Sequence, residues 1–384
     1  MAVNWRVPLT DLDYGPEEEQ AVLDVLRSRW LTMGAVTEQF ERHFADEIGV
    51  KHAIAVSNAT MALHLACLSL DIGPGDEVIV PSLTFVATAN AALYTGAEVC
   101  FADIISPDDL NISPAEIEKL ITTRTKAIVV VHYGGYPCQM PEIMDIASLH
   151  NLIVIEDAAH APGAALHNKS LGTWGEIGCF SFFSNKNLAV GEGGMLVTNR
   201  DEIADRVRLL RSHCMTSLTW DRHQGHAYSY DVVDLGFNYR IDEVRSALGL
   251  VQLKKLGLNN SRRKQITDHY RKLLNRDQIN GIKIPFQNIV GEPAYHLFPI
   301  LLSENIKRTD FIDHMRQEGI QTSIHYPPIH KFSYYLQKNP NVYLPHTEVV
   351  AAREVTLPLY PSMDEEKVHW VVAAIKESLH HSIC

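Results

Sequence analysis

Residues 126–131, Lys126-Ala127-Ile128-Val129-Val130-Val131, are followed by a helical pattern over 140–150 and then by Leu152-Ile153-Val154-Ile155-Glu156-Asp157. Two short apolar runs, each suited to a strand buried on both faces and joined by an amphipathic segment, predict a β-α-β unit with parallel strands. The alternation continues outward. Strands at 52–56, 77–80 and 99–102 alternate with helices at 59–70, 85–94 and 113–122, and 179–183 and 195–197 read as further strands. Helical patterns follow over 201–211 and from 242 to about 256. This is the pattern of an α/β domain on a largely parallel sheet. Pro16 before Glu17-Glu18-Glu19 marks an earlier helix start, with Val22, Leu26 and Trp30 on one face. From about 260 the order is helix, strand (295–302), helix (309–318), a turn at Tyr326-Pro327-Pro328 and a last helix over 365–379, a smaller α+β domain. The expected division is a large domain over 1–255 and a small one over 256–384.

A chain of 384 residues has room for two or three domains and a sizeable core. Apolar residues make up 46% and charged ones 21%, which excludes disordered and fibrous architectures. With 34 basic against 46 acidic residues, the net charge of −12 disfavours a nucleic-acid partner, whose phosphates need clustered Lys and Arg. The six cysteines lie far apart with no C-x-x-C pair, so neither a zinc site nor a disulfide framework is indicated, and reduced thiols are expected. Residues 1–6 lack the pattern of a signal peptide, and the longest uncharged stretch, 78–97, holds Pro81, Ser82, Thr84, Thr88, Asn90 and Thr95. That is too polar to span a membrane. The expectation is a cytoplasmic protein with no membrane partner.

In open α/β sheets ligands sit beyond the carboxyl ends of the strands, so the residues after each apolar run matter most. Ser57-Asn58-Ala59-Thr60 opens a helix, where free N–H groups and the Thr60 hydroxyl offer an anion site; the plain alternative is that Ser57 or Asn58 merely caps that helix. Glu156-Asp157-Ala158-Ala159-His160 ends a buried strand, and a carboxylate there is costly unless a donor or cation meets it. A salt-bridged structural Asp is the alternative. Lys186 lies between the apolar run 179–183 and Gly191-Glu192-Gly193-Gly194, a setting that suggests tight packing rather than a solvated lysine. Thr84-Phe85, past another strand, could place an aromatic ring against a ligand. For Phe85 alone, ordinary core packing is the plainer reading. Together, a loop lysine, a strand-end carboxylate and an anion-binding helix start are what pyridoxal 5′-phosphate (PLP) needs. The amine bonds the cofactor, the carboxylate keeps the pyridine nitrogen protonated, and the helix start holds the phosphate.

Glu156-Asp157-Ala158-Ala159-His160, Phe180-Ser181-Phe182 with Lys186-Asn187 and Gly191-Glu192-Gly193-Gly194, and Gly236-Phe237-Asn238-Tyr239-Arg240 resemble the signature blocks of the DegT/DnrJ group of PLP-dependent sugar aminotransferases, of fold type I. The likeness is nearly collinear from Trp30-Leu31-Thr32-Met33-Gly34 to His325-Tyr326-Pro327-Pro328-Ile329-His330. The resemblance implies that Lys186 is the Schiff-base lysine, Asp157 the partner of the pyridine nitrogen, and His160 a residue beside the cofactor ring that is Gln in many relatives. It further implies that Ala59, Thr60 and Ser181 bind the phosphate, that Phe85 stacks on the ring, and that Asn238 reaches the phosphate of a neighbouring subunit. Lys186, Asp157 and His160 are thus the expected catalytic residues. Two departures stand out: Ser184-Asn185 replaces a frequent Pro-Thr or Pro-Ser, and Ser57-Asn58-Ala59-Thr60 replaces a commoner Ser-Gly-Thr form.

What the resemblance implies is a homodimer with shared active sites that moves an amino group from an amino acid, L-glutamate being expected, to a keto group of a nucleotide-linked sugar. A cyclitol ketone is the alternative acceptor. A PLP-dependent sugar dehydratase is disfavoured because Lys186 is present, and a non-catalytic regulator because Lys186, Asp157 and the phosphate set are intact. His325 and His330 flank a Pro-Pro turn with no third metal ligand near in sequence, which favours a substrate-channel or interface role. The run 220–226, Trp220-Asp221-Arg222-His223-Gln224-Gly225-His226, reads either as a loop that grips a nucleotide or sugar or as a solvated loop.

Overall fold

The computed structural model describes residues 5–217, 229–277 and 279–381, so the run 220–226 and Cys384 lie outside the described residues. A seven-stranded sheet carries the strands in the order His52–Val56, Gly194–Thr198, Ile177–Ser181, Ile153–Asp157, Thr125–Val131, Glu77–Pro81 and Glu98–Ala102. Gly194–Thr198 runs antiparallel to both of its neighbours, and every other pair is parallel. Apart from the half-buried Ile153, the Val and Ile side chains of these strands are buried on both faces, each contributing roughly 1.5–3 kcal/mol by leaving water. This is why the strands read as unbroken apolar runs rather than as alternation.

The helices obey local signals. Asn58 caps Ala59–Ser69 by accepting the Met61 N–H at 3.0 Å, and Ser113 with Pro114 opens Pro114–Leu120. Met140–His150 ends on Asn151 in the left-handed region (φ 55°). Pro16–Ser28 starts as expected, yet Leu26 is 50% exposed and Val22 only half-buried, while Val25 and Glu18 are buried. Glu18 turns inward because its carboxylate accepts the Gly15 N–H at 2.8 Å, the Gln252 amide at 2.8 Å and the Lys255 ammonium. Trp30 lies beyond the helix end.

Where two helices are expected around residue 256, a single helix runs from Glu243 to Arg276, and the boundary expected at 255/256 falls inside it. Its first turn belongs to the large sheet's side, where the Glu243 carboxylate accepts the N–H groups of Gly34, Val36 and Thr37 at 2.8–2.9 Å. Its far half meets a second sheet of Ile282–Lys283, Phe298–Leu302 and Glu354–Leu357, all antiparallel. There the Arg263 guanidinium donates to the Leu359 carbonyl at 2.8 Å and the Tyr270 hydroxyl to that of Pro358 at 3.1 Å. The helices Arg308–Gln317, Pro345–Arg353 and Glu365–His381 complete this part. Cys67, Cys100, Cys138, Cys179 and Cys214 are all unpaired thiols. No helix among the described residues is long and apolar enough to cross a membrane.

Candidate active site

The parallel strands all deliver their carboxyl ends to one side of the sheet, and a cavity of about 490 Å³ opens there. Ala59, Thr60, Phe85, Asp157, His160, Ser181 and Lys186 all line it. Asn238 does not: it is exposed, on a segment bridged to Ser212. His325 and Tyr326 also line the cavity, whereas His330 is buried elsewhere, with Nδ1 2.7 Å from Ser82 Oγ and Nε2 3.2 Å from Glu348.

Successive residues of a strand face opposite ways, and this separates the two carboxylates at the end of Ile153–Asp157. Glu156 turns away from the cavity and is fully satisfied: it accepts the N–H groups of Gly172 at 2.7 Å and Gly175 at 2.8 Å and meets His132 Nε2 at 3.0 Å. Asp157 turns toward the cavity. Its Oδ2 accepts the Thr88 hydroxyl at 2.8 Å and its Oδ1 the Ala159 N–H at 3.2 Å. Burial pushes its carboxyl above the ordinary range, while Thr88, the Ala159 N–H and the charge of Lys186 pull it back. The structural-Asp alternative, which needs a salt bridge, is not what is found: no ion pair holds Asp157 among the described residues.

Lys186 sits in the loop between Ile177–Ser181 and Gly194–Thr198. Its N–H donates to the Phe183 carbonyl at 2.9 Å, and Phe182 and Gly193 pair across the loop at 2.9 Å. The next residue anchors it: the Asn187 amide donates to Asn260 at 2.8 Å and to the Ala294 carbonyl at 2.7 Å. Burial lowers the Lys186 amine to about 8, and the attraction of Asp157 limits that drop. Among the described residues its Nζ has no hydrogen-bond partner.

His160 is held at both nitrogens. Nδ1 accepts the Gly134 N–H at 3.2 Å, so the ring proton is on Nε2, which lies 3.0 Å from the Tyr326 hydroxyl and donates to it. Burial, followed by the nearby Lys186 and His325, holds its pKa well below the usual value and keeps it neutral. Gly135 makes the approach feasible: its φ is +83°, and a Cβ there would lie 2.6 Å from the His160 carbonyl oxygen.

Asn58 is indeed a helix cap, and the anion site stands beside that role. The N–H groups of Ala59 and Thr60, in the first turn, have no intrahelical acceptor and border the cavity opposite Ser181. Gly194 permits this approach of strand and helix, since a Cβ on it would lie 2.5 Å from the Asn58 carbonyl carbon. The Ser57 N–H donates to the Tyr239 carbonyl at 2.9 Å, so the block 236–240 braces the loop before the helix. The core reading of Phe85 fails: it is 58% exposed, with its ring 6.2 Å from that of Tyr326. The residues present therefore fit PLP: an amine of lowered pKa with no partner among the described residues, a buried carboxylate whose two oxygens each accept a single donor, free helix N–H groups and an uncovered aromatic ring. Asn185 adds a buried side-chain oxygen without a partner at the cavity wall.

Sequence reasoning missed Thr88, Asn185 and Tyr326 as parts of the site. Tyr326 lies in a block read for its prolines, its two histidines and its likeness to the family, with no role given to the phenol, and Asn185 is noted only as a departure. For Thr88 the one available signal was its four-residue spacing from Thr84, whose hydroxyl lies 3.0 Å away.

Comparison with known proteins supplies the family. The profile of the DegT/DnrJ/EryC1/StrS aminotransferase family matches residues 13–376. The spore coat polysaccharide biosynthesis protein SpsC of Bacillus subtilis (strain 168) is 40% identical over 370 residues, 94% of each chain. Helicobacter pylori PseC, an aminotransferase involved in the biosynthesis of pseudoaminic acid, superposes with a TM-score of 0.90 at 30% identity, covering 98% of this chain and 99% of its own. Spr1654 from Streptococcus pneumoniae, in its PLP form, does so with a TM-score of 0.89 at 25% identity, covering 97% and 98%. The chain belongs to the DegT/DnrJ/EryC1/StrS aminotransferase family and is a PLP-dependent aminotransferase of fold type I.

Proposed function

We propose that this aminotransferase moves the amino group of L-glutamate onto a keto group of a nucleotide-linked sugar. The observation that carries the reading is whole-chain similarity to SpsC and PseC, described as proteins of spore coat polysaccharide biosynthesis and of pseudoaminic acid biosynthesis. Bound PLP would supply an electron sink for the carbon that loses or gains the amine.

The chain's own residues do the rest. Lys186 is the amine that bonds the cofactor and then, once displaced, takes and returns the proton at the reacting carbon. With a pKa of about 8 it lies close enough to neutrality to work in both directions. Asp157, whose two oxygens each keep an acceptor position beside the bonds from Thr88 and Ala159, would hold the pyridine nitrogen of the bound cofactor in its protonated form. Neutral His160, fixed by Gly134 and Tyr326, orients the ring. Ala59, Thr60 and Ser181 take the phosphate, and Phe85 covers one ring face.

Asn238 completes the phosphate site of a second copy in a two-fold homodimer. In support, Asn238 is exposed and does not line its own chain's cavity, and Val232, Val233 and Leu235 stand exposed on the same segment.

The test is a panel of keto-sugar nucleotides and cyclitol ketones with L-glutamate as donor, read as 2-oxoglutarate formed. Turnover of a nucleotide-linked keto sugar is expected; turnover of cyclitol ketones alone, or none with glutamate, overturns the reading.

A further inference from the structure

Behind the cavity wall, Glu354, Thr356 and His325 form a closed set of buried groups. The His325 N–H donates to Glu354 Oε2 at 2.7 Å, Glu354 Oε1 meets the Thr356 hydroxyl, and that hydroxyl lies 2.8 Å from His325 Nδ1. The register of the second sheet enforces this, because Ser323 and Thr356 bridge antiparallel and bring the segment before His325 onto Glu354–Leu357. Glu354 and Thr356 are each 1% exposed, and His325 lines the cavity. With Nδ1 engaged, Nε2 is the ring nitrogen of His325 left without a partner among the described residues.

A hydroxyl has one proton, so Thr356 donates to only one of its two neighbours at a time. When Glu354 carries its proton it donates to Thr356, Thr356 donates to His325 Nδ1, and the neutral imidazole carries its own proton on Nε2. When Glu354 loses that proton to solvent, the two remaining protons rearrange. Thr356 then donates to the carboxylate, His325 donates from Nδ1 to Thr356, and Nε2 becomes an acceptor. We infer that Glu354, acting through Thr356, is a positioning residue that fixes the tautomer of His325, so that His325 presents an N–H donor to the oxygen of an incoming keto substrate. The substrate side of this inference rests on the proposed function; the proton arrangement does not.

The surroundings favour the protonated acid. Burial raises the Glu354 carboxyl to about 8, against the pull of Thr356, the His325 N–H and Arg308. Arg308 donates to the Glu354 backbone carbonyl at 3.3 Å rather than to its carboxylate. Tyr133, whose hydroxyl donates to the His325 carbonyl, and Tyr326 face the same group, and their burial keeps both phenols protonated. Lys186 and His160 stand on the cavity side, with His296 packed behind His160; burial and then the positive charge of Lys186 keep His325 from becoming a cation.

The experiment uses holoenzyme labelled with ¹⁵N at histidine, with the His325 signals assigned by their loss in His325→Asn. Imidazole ¹⁵N shifts distinguish the two tautomers directly. In the wild type, the proton is expected on Nε2 near pH 7 and on Nδ1 near pH 9.5, either side of the Glu354 transition. In Glu354→Gln the amide donates to Thr356 at every pH, so the proton stays on Nε2 throughout. Near pH 7, Thr356→Val should lower kcat/KM for the keto acceptor about tenfold, with Thr356→Ser restoring it. An unchanged tautomer across the wild-type titration, a wild-type transition in Glu354→Gln, or full turnover by Thr356→Val would each overturn the inference. Failure of every ketone as a substrate would instead sink the proposed function and leave the ¹⁵N result standing.

Discussion

Thr88 Oγ1 lies 2.8 Å from Asp157 Oδ2 and gives it the one side-chain hydrogen bond it receives among the described residues. The bond fixes which edge of the carboxylate faces the cavity and favours its ionised form. Thr88→Val keeps the shape and removes the donor, so Asp157 becomes harder to ionise and freer to rotate. We expect kcat to fall about tenfold with the unfolding temperature nearly unchanged, and Thr88→Ser to recover it. Steady-state kinetics beside thermal melts of the three proteins decide it; equal kcat in all three would mean that Thr88 only packs.

Lys186 should be the most readily modified lysine of the cofactor-free enzyme at mildly alkaline pH. Its amine is charged below about 8 and neutral above, where exposed lysines, near 10.4, remain charged. Competitive acetylation read by peptide mass spectrometry should show its rate rising through that lower range. In Asp157→Asn the anion that favours the ammonium is gone, so the midpoint should move lower still. A midpoint near 10 would contradict the burial of this amine.

Asn187 ties the lysine loop to the rest of the molecule through three bonds. Besides its two donations, its Oδ1 accepts from His296 Nδ1 at 3.0 Å. Asn187→Leu leaves the Ala294 carbonyl and His296 without these partners in a buried setting, so a loss of about 2–4 kcal/mol is expected. Urea unfolding of wild type and variant measures it, and a change under about 0.5 kcal/mol would show that the loop is held by other means.

Shared sites predict complementation. Lys186→Ala and an inactivating Asn238 variant, each folded and dimeric alone, are unfolded together and refolded as a mixture. With random pairing about half the dimers are mixed, and one of the two sites in each takes both residues intact, so about a quarter of all sites should work. No recovery in demonstrably mixed dimers would place Asn238 in its own chain's site, or in none.

The central sheet was legible because its strands are buried on both faces, so that runs such as 126–131 admit hardly any other reading. That Ala59, Thr60, Asp157 and Lys186 would meet at one cavity was legible because they stand at or just beyond the ends of such strands. What stayed hidden depends on partners far along the chain. Glu18 is buried because Gln252 and Lys255 meet it, which turns the buried stripe of the first helix away from Leu26 toward Glu18 and Val25. The long helix looked like two because Asn259, Asn260 and Arg263 interrupt its apolar pattern, yet all three face inward. Asn260 and Arg263 bond carbonyls that no local pattern could announce. Glu354 and His325 meet only through the register of the second sheet.

The helix Glu243–Arg276 acts as a common axle for both sheets, and this constrains which changes in chain length the protein tolerates. Inserting one residue into an α-helix turns everything beyond it by about 100° and advances it by about 1.5 Å. An insertion near Gly257 would swing Asn260 away from the Asn187 that steadies the lysine loop, and Arg263 and Tyr270 away from the carbonyls of Leu359 and Pro358. The spacing between Asp242 and Tyr270 is therefore fixed by rotation rather than by distance. What this rod holds constant is its number of residues between those contacts.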